Sequence, residues 1–343
     1  MKSQFRPTGP ADAGAISQLM QQVFRMPPGH PGLGMEQMCW KYWREFPAWE
    51  GSRSFVMERD GVVVAHGSVI PLTCSSAGQR LRIVNLIDWA ALRDCTGAGI
   101  TLLKRVGQMA DGVFVAGGSP TAQAILPALG FKPVGTAVRF FLPLRLLARL
   151  PGAFRGRTAA GRLGRNLLLA AARGHSGAVP PAWRVRHVLP AELQSLQFPT
   201  PRLRQQERAI FERTAAEITY LLNCPAAPGK FHLVERDGVI AGYFVLTLAA
   251  RQCRIADAWI DSDEVDDWRI LFTLASRQAK TYPQVAELAA VANTNVETQA
   301  LRQAGFPRCG RVPLRLWIRK GKGPETVRYQ MADGDAAYLH EGD

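Results

Sequence analysis

The feature that most constrains this chain is an internal repeat. The pentapeptide ERDGV occupies Glu58 to Val62 and recurs at Glu235 to Val239. Each copy lies between apolar stretches, SFVM and VVAHGSVI in the first, FHLV and IAGYFVLTLA in the second. An Asp-Gly pair flanked in this way predicts a β-hairpin, because both residues accept positive φ. A second landmark follows at nearly the same interval. Gly130-Phe131 closes TAQAILPALGF 72 residues after Glu58, and Gly305-Phe306 closes NVETQALRQAGF 70 residues after Glu235. Two landmarks in one order at matched spacing imply one fold unit present twice.

The same succession of elements is predicted around both landmarks. The first half reads as a helix over 11–24, the hairpin over 54–74, a strand over 79–92 and a helix over 100–110. A short buried strand (112–116), a helix stopped by Gly130 (121–129) and a last strand (134–144) complete it. The second half reads as a helix over 201–222, the hairpin over 230–249, a strand over 252–260 and a helix over 268–279. A strand (285–292), a helix (296–304) and a strand (312–319) follow. A hairpin followed by alternating helices and strands implies an α/β fold with a mixed sheet: antiparallel at first, parallel in the middle, helices on both faces. The expected division is 1–144, a basic helical joint over 145–181, a second copy over 182–322, and an acidic tail over 323–343.

The net charge of +14 suggests nucleic acid until it is located. Between Gly112 and Ala191 there is no Asp or Glu, while eleven Lys or Arg fall there, leaving the remainder of the 343 residues at +3. Within the joint, Leu and Arg recur at helical spacing in LRLLARL and GRLGRNLLLAAARG. Three readings stand: a solvated linker packed on both halves, an interfacial helix pair meeting anionic lipid over 145–173, or a nucleic-acid strip. No aromatic residue that could stack a base follows Phe154 within the joint, which argues against nucleic acid. The six cysteines form no C-x-x-C pair, which argues against a structural zinc site and for free thiols in a reducing, cytoplasmic setting. The first residues hold no apolar signal-peptide core, and no run of apolar residues is long enough for a membrane helix.

The order of elements and the two helix-to-Gly-Phe endings resemble the Gcn5-related N-acetyltransferase (GNAT) superfamily in a tandem, two-domain form. They are also similar to bacterial FemAB-like and mycothiol synthase-like transferases. The resemblance implies two mixed, mostly antiparallel sheets flanked by helices. It also implies an acyl-CoA donor, acetyl-CoA among others, and no metal. In this family a glycine-bearing loop between a strand and a helix cradles the coenzyme diphosphate. LRDCTGAGITLLKRV stands at that place, so Leu92, Arg93, Asp94, Cys95, Thr96, Gly97, Ala98, Gly99, Ile100 and Thr101 are the expected coenzyme residues. The usual basic residue or glutamine beside the first glycine is absent. In the second half DSDEVDDWRILF has no glycine and five acids, which would repel a diphosphate, so that half is expected to be degenerate.

For catalysis the resemblance points to Asp88, on the strand before the loop, as base for the acceptor amine. The plain alternative is a hydrogen-bonded strand residue. The family's leaving-group tyrosine is missing, with Leu126 and Leu301 standing where it is expected. Ser119 could replace it, or simply cap the next helix. His66 on the hairpin could line the acceptor cleft, or be an ordinary strand residue. Asn293 and Asn295 read as helix caps. Cys95 at a helix start could have an activated thiol, but no His partner is near it in sequence.

The implied activity is acyl transfer to a small-molecule or cell-envelope acceptor of the exopolysaccharide-biosynthesis type. Aminoacyl transfer from charged tRNA, a non-catalytic module and a membrane-docked partner are the alternatives. The tail YQMADGDAAYLHEGD resembles the endings of such polysaccharide-associated proteins, and disorder is its plain reading.

Overall fold

The structure is a computed structural model and describes residues 3–47, 49–76, 78–95, 97–145, 164, 178–196 and 209–338. Most of the basic joint, including the expected lipid-facing stretch apart from Arg145 and Gly164, therefore lies outside the described residues, as does Thr96.

Asp60-Gly61 and Asp237-Gly238 all take positive φ, between 49° and 82°, and make the two hairpin turns expected of them. The first turn joins β2 (Ser54–Arg59) to β3 (Val62–Ser76), and the second joins β9 (Gly229–Arg236) to β10 (Val239–Ala249). β4 (Gln79–Ala91) and β5 (Gly112–Ala116) follow in the first half, then β6 (Lys132–Pro143). In the second half the corresponding strands are β11 (Gln252–Ile260), β12 (Glu287–Ala292) and β13 (Arg308–Ile318). Three strands were not legible as such: β1 (Ser3–Pro7), β7 (Trp183–Val188) and the two-residue β8 (Ile210–Phe211).

These strands form one mixed sheet in the order β1-β2-β3-β4-β5-β13-β6-β12-β11-β10-β9-β7, with β8 on β3. β4 with β5 and β11 with β12 are its parallel pairs. The order contains an exchange. β13, the last strand of the second half, pairs with β5 from Leu314↔Ala116 to Ile318↔Gly112. β6, the last strand of the first half, pairs with β12 from Val138↔Ala292 to Pro143↔Glu287. Each half's sheet is completed by the other's final strand, and β6 and β13 pair with each other between them.

The helices follow apolar spacing. α1 (Ala13–Phe24) buries Ala13, Ile16, Leu19 and Met20 and stops where Arg25 turns left-handed at φ 55°. α2 (Met35–Met38) runs on as a π turn through Trp43. α3 (Ala98–Gly107) buries Leu102, Leu103 and Val106 against the first half's sheet, each contributing on the order of 1.5–3 kcal/mol. α4 (Pro120–Ile125) continues as a 3-10 turn to Leu129 and ends at Gly130. α5 (Pro190–Leu193) is a single turn. The helix expected over 201–222 is shorter: among its described residues only α6 (Ala215–Leu222) is helical. Thr214 starts it with a capping box to Glu217, while Ile210 and Phe211 just upstream are held extended against Ser75 and Cys74. α7 (Val265–Lys280) carries Asp266 and Asp267 in its first turn and Arg277 and Lys280 in its last, matching the helix dipole. α8 (Asn295–Gln303) is capped by Thr294.

The C-terminal segment departs most from expectation. Through Tyr338 it is an ordered strap, with Tyr329, Gln330, Met331, Asp333, Ala337 and Tyr338 buried. It crosses both halves. Val327 N–H bonds Val134 O at 3.1 Å, Asn85 Nδ2 donates to Asp333 O at 2.7 Å, and Thr247 Oγ1 donates to Ala337 O at 2.5 Å. The reason is compositional: Tyr329, Met331, Ala337 and Tyr338 supply apolar surface, and Asp333 meets the buried guanidinium of Arg213.

Candidate active site

The two parallel pairs are short, and that shapes the site. The β4–β5 ladder ends at Asn85↔Phe114, although β4 continues to Ala91 and β5 to Ala116. The strands therefore part into a notch. On one side of it β4 carries a bulge, where Asp88 and Trp89 together oppose Gly67 of β3. Gly67 has a steric reason to be glycine. A Cβ there would lie 2.7 Å from Leu102 Cδ2, so its absence lets α3 close onto the sheet.

At the head of the notch Leu92, half-buried, donates its N–H to Val64 O, and Arg93 and Asp94 are exposed. Cys95 is buried, with Arg59 Nη1 3.9 Å from its sulfur. Gly97 caps α3 at φ 84°, a backbone that a side chain would strain, and lies open to solvent. Ala98 and Gly99 are buried, Ile100 is half-buried and Thr101 exposed. A Cβ on Gly99 would come within 3.2 Å of Ala91 and of Trp89, whose Nε1 donates to the Gly99 carbonyl at 2.9 Å. The loop thus presents the first turn of a ten-residue helix, with its positive dipole end, at the mouth of the notch; of its N–H groups, Ala98 donates to Cys95 O and Thr101 to Gly97 O.

Asp88 is buried at the bulge with φ 52°. Lys41 Nζ lies 2.5 Å from its carboxylate, and Tyr42 and Ser68 hydroxyls donate at 2.7 and 3.2 Å. Burial alone would raise its pKa, but the Lys41 charge and these hydrogen bonds outweigh it and hold the carboxyl below its ordinary value. His66 is fully buried, its Nε2 2.9 Å from Ser54 Oγ and its Nδ1 3.2 Å from the Asp88 carbonyl oxygen. Desolvation pushes its pKa down to about 4, so the ring is neutral at pH 7. Ser119 is exposed at the end of β5, and its Oγ accepts from Ala122 N–H as the cap of α4. Capping uses an oxygen lone pair and leaves the hydroxyl hydrogen available. Asn293 is not a helix cap. Its amide bridges Val327 O and Tyr329 N–H of the strap.

Lys41 and Tyr42 were not singled out in sequence, although a lysine within CWKYW, among aromatic residues, is a signal of a buried charge. Asn85 was missed as well: it is buried at the point where β4 and β5 part, and its Oδ1 has no hydrogen-bond partner. The strap adds Asp335, which burial lifts to about 6 against the opposing pull of Lys41.

The second half repeats the arrangement with different contents. Asp257 lies three residues from the end of β11, as Asp88 does on β4, and takes Arg213 at 3.1 Å and Tyr243 Oη at 3.0 Å. The β11–β12 ladder ends at Arg254↔Ala289, which leaves a second notch. No glycine loop heads it.

No family model and no curated protein matches the sequence. Solved structures do. A GCN5-related N-acetyltransferase from Anabaena variabilis aligns with a TM-score of 0.58 at 13% identity, over 92% of this chain and 73% of the other. N-myristoyltransferase of Saccharomyces cerevisiae, with bound myristoyl-CoA, aligns with a TM-score of 0.61 at 14% identity, over 94% and 84%. A tandem GNAT protein from the clavulanic acid biosynthesis pathway aligns with a TM-score of 0.57 at 14% identity, over 94% and 100%. The chain has a tandem GNAT fold. At these identities the likeness is one of fold. Among the described residues of this GNAT-fold protein no helix is long and apolar enough to cross a membrane, and no group of three His, Cys, Asp or Glu is placed to hold a metal ion.

Proposed function

We propose that the chain is an acyl-CoA-dependent N-acyltransferase whose first half binds the donor. One observation carries this reading: the notch between β4 and β5 opens at the bulge and is headed by the Gly97 loop and the N-terminus of α3. A diphosphate would be held by the amides of Gly97, Gly99 and Ile100, since the Ala98 and Thr101 N–H groups already donate to Cys95 O and Gly97 O, and the pantetheine arm would lie along the edge of β4 that β5 leaves free. An acceptor amine attacks the thioester carbonyl carbon, the C–N bond forms as the C–S bond breaks, the nitrogen gives its proton to water and the leaving thiolate takes one up. Asp88, ion-paired and acidic, is a poor base; it serves to fix the bulge against which the carbonyl is polarised. Ser119, exposed three residues beyond β5, is the group we assign to pass the thiolate its proton, regaining one from water. The acceptor is a small molecule or envelope precursor, acetyl is the simplest acyl group, and residues 145–173 dock the enzyme on anionic lipid. The acidic Asp88 also favours a second reading, a module that keeps the fold and binds acyl-CoA without turnover.

Calorimetric titration with acetyl-CoA and longer acyl-CoAs tests the donor site. Gly97→Glu should abolish micromolar binding. Gly78→Glu, at the same positive φ (78°) in an equally open turn, should leave it intact. No binding of any acyl-CoA by the folded protein sinks the proposal; binding without acyl transfer to any amine moves it to the second reading.

A further inference from the structure

The notch of the second half is filled by the chain itself. The strap passes through it, and Arg328 enters between β11 and α8. Its Nη2 donates to the Ala258 carbonyl at 2.7 Å and to Glu297 Oε1 at 2.6 Å, and its Nε donates to the same carboxylate oxygen at 2.9 Å. The guanidinium carbon lies 4.9 Å from the ring centre of Trp259 and 5.2 Å from that of Trp268. These indoles meet edge to face, so the cation touches two aromatic surfaces at once.

The receptor is built rather than incidental. The Glu297 side chain is 2% exposed, and it also accepts from Gln330 Nε2 at 3.1 Å and Thr294 Oγ1 at 2.8 Å. Asn293 holds the strap backbone on both sides of Arg328. The loop at the mouth, with Asp261, Asp263 and Glu264 before α7 and Asp266 and Asp267 in its first turn, adds negative charge where the first half has a glycine loop. A carboxylate, a carbonyl and two π faces suit a planar cation and repel a diphosphate.

We propose that the second notch is a guanidinium receptor whose ligand is Arg328 of the chain's own C-terminal strap, so that each chain takes up a single acyl-CoA. The strap then has two anchors, Arg328 between β11 and α8 and the Asp333 to Ala337 stretch, which accepts from Asn85 of β4 and Thr247 of β10. The stoichiometry rests on the proposed donor site; the receptor itself does not.

Two measurements test it. In calorimetry, one acyl-CoA per wild-type chain is expected, and two overturn the proposal. Arg328→Ala should lower Tm by roughly 4–7 °C, because it leaves the Glu297 carboxylate buried without a cation. Ethylguanidinium at about 10 mM should restore part of that loss in the variant and do nothing for wild type, with N-ethylurea as the uncharged control. This concentration is chosen for occupancy of a weak site. Equal responses to the two compounds overturn the receptor. If Arg328→Ala does not fold on its own, its refolding yield in ethylguanidinium against N-ethylurea is read instead, and equal yields overturn the receptor. A chain that binds no acyl-CoA at all refutes the donor site proposed above, and the rescue experiment still decides the receptor.

Discussion

The ion pair at the bulge makes a quantitative prediction through Asp88→Asn. The substitution keeps the side-chain shape and suits φ 52°, since Asn tolerates left-handed backbone nearly as well as any residue other than Gly. What it removes is charge. Lys41, whose side chain is 4% exposed, is left with only the longer-range attraction of Asp335. Breaking a buried pair from one side costs about 3–5 kcal/mol; with Asp335 offsetting part of it, about 3 kcal/mol is expected. In a chain of this size that is a fall in Tm of roughly 4 °C by calorimetry. Asp88→Ala should be worse, because it loses the Tyr42 and Ser68 hydrogen bonds and places Ala at positive φ, a further 1–2 kcal/mol or about that. Asp88→Gly should lie between the two. Lys41→Met added to Asp88→Asn removes the stranded ammonium and should recover more than half of the loss. Because Asp88's carboxyl is held below its ordinary value, its stabilisation is complete above the unfolded carboxylate pKa of about 4 and is lost only as pH falls through the lower, folded one. The gap between wild type and Asp88→Asn should therefore persist down to about pH 5. Equal melting of wild type and Asp88→Asn at pH 7 would refute the pairing, and so would a double variant no more stable than Asp88→Asn.

Two further outcomes follow from the same geometry. Asp335 has the opposite sign: its carboxyl is raised to about 6, so the folded chain holds the extra proton between about pH 4 and 6, and stability falls as pH rises through that window. Asp335→Asn should melt above wild type at pH 7.5 and coincide with it at pH 4, as read by calorimetry across pH. Gly67→Ala places a Cβ 2.7 Å from Leu102 and 3.3 Å from Leu86; both are side-chain ends able to shift, so a loss of about 1–3 kcal/mol is expected in a denaturant titration.

What the sequence disclosed was local. The two Asp-Gly turns were legible because turn chemistry is set by two residues. The order of strands and helices was legible because burial imposes a period of two or of 3.6 on each element. The glycine loop could be placed for the same reason, as a helix start following a strand. The missed features are long-range. Nothing within CWKYW states that Lys41 will meet Asp88, 47 residues on, and only the bulge brings them together. β1 and β7 are short edge strands at opposite ends of the sheet, with exposed polar residues and weak alternation. The tail read as disordered because its acids were counted as solvated charge. One of those acids, Asp333, is paired with Arg213, and the tail's own Arg328 is paired with Glu297.

The exchange of final strands separates the unit that repeats from the unit that folds. By sequence, the first copy ends with β6; in the sheet, β5's free edge is covered by β13, from 198 to 206 residues further on (Leu314↔Ala116 to Ile318↔Gly112). A polypeptide cut after residue 144 would keep every motif of the first copy yet leave β5 without its neighbour, the Phe114 ring without Tyr329 and Phe211, and Asn85 without the strap carbonyl it bonds. An uncovered edge and an opened core favour association over an independent fold. The donor notch itself is framed by β4, β5 and, through β5, the second copy's last strand. A second half without a glycine loop is therefore still needed: it supplies β13 and the anchored strap that hold the first half's notch in shape.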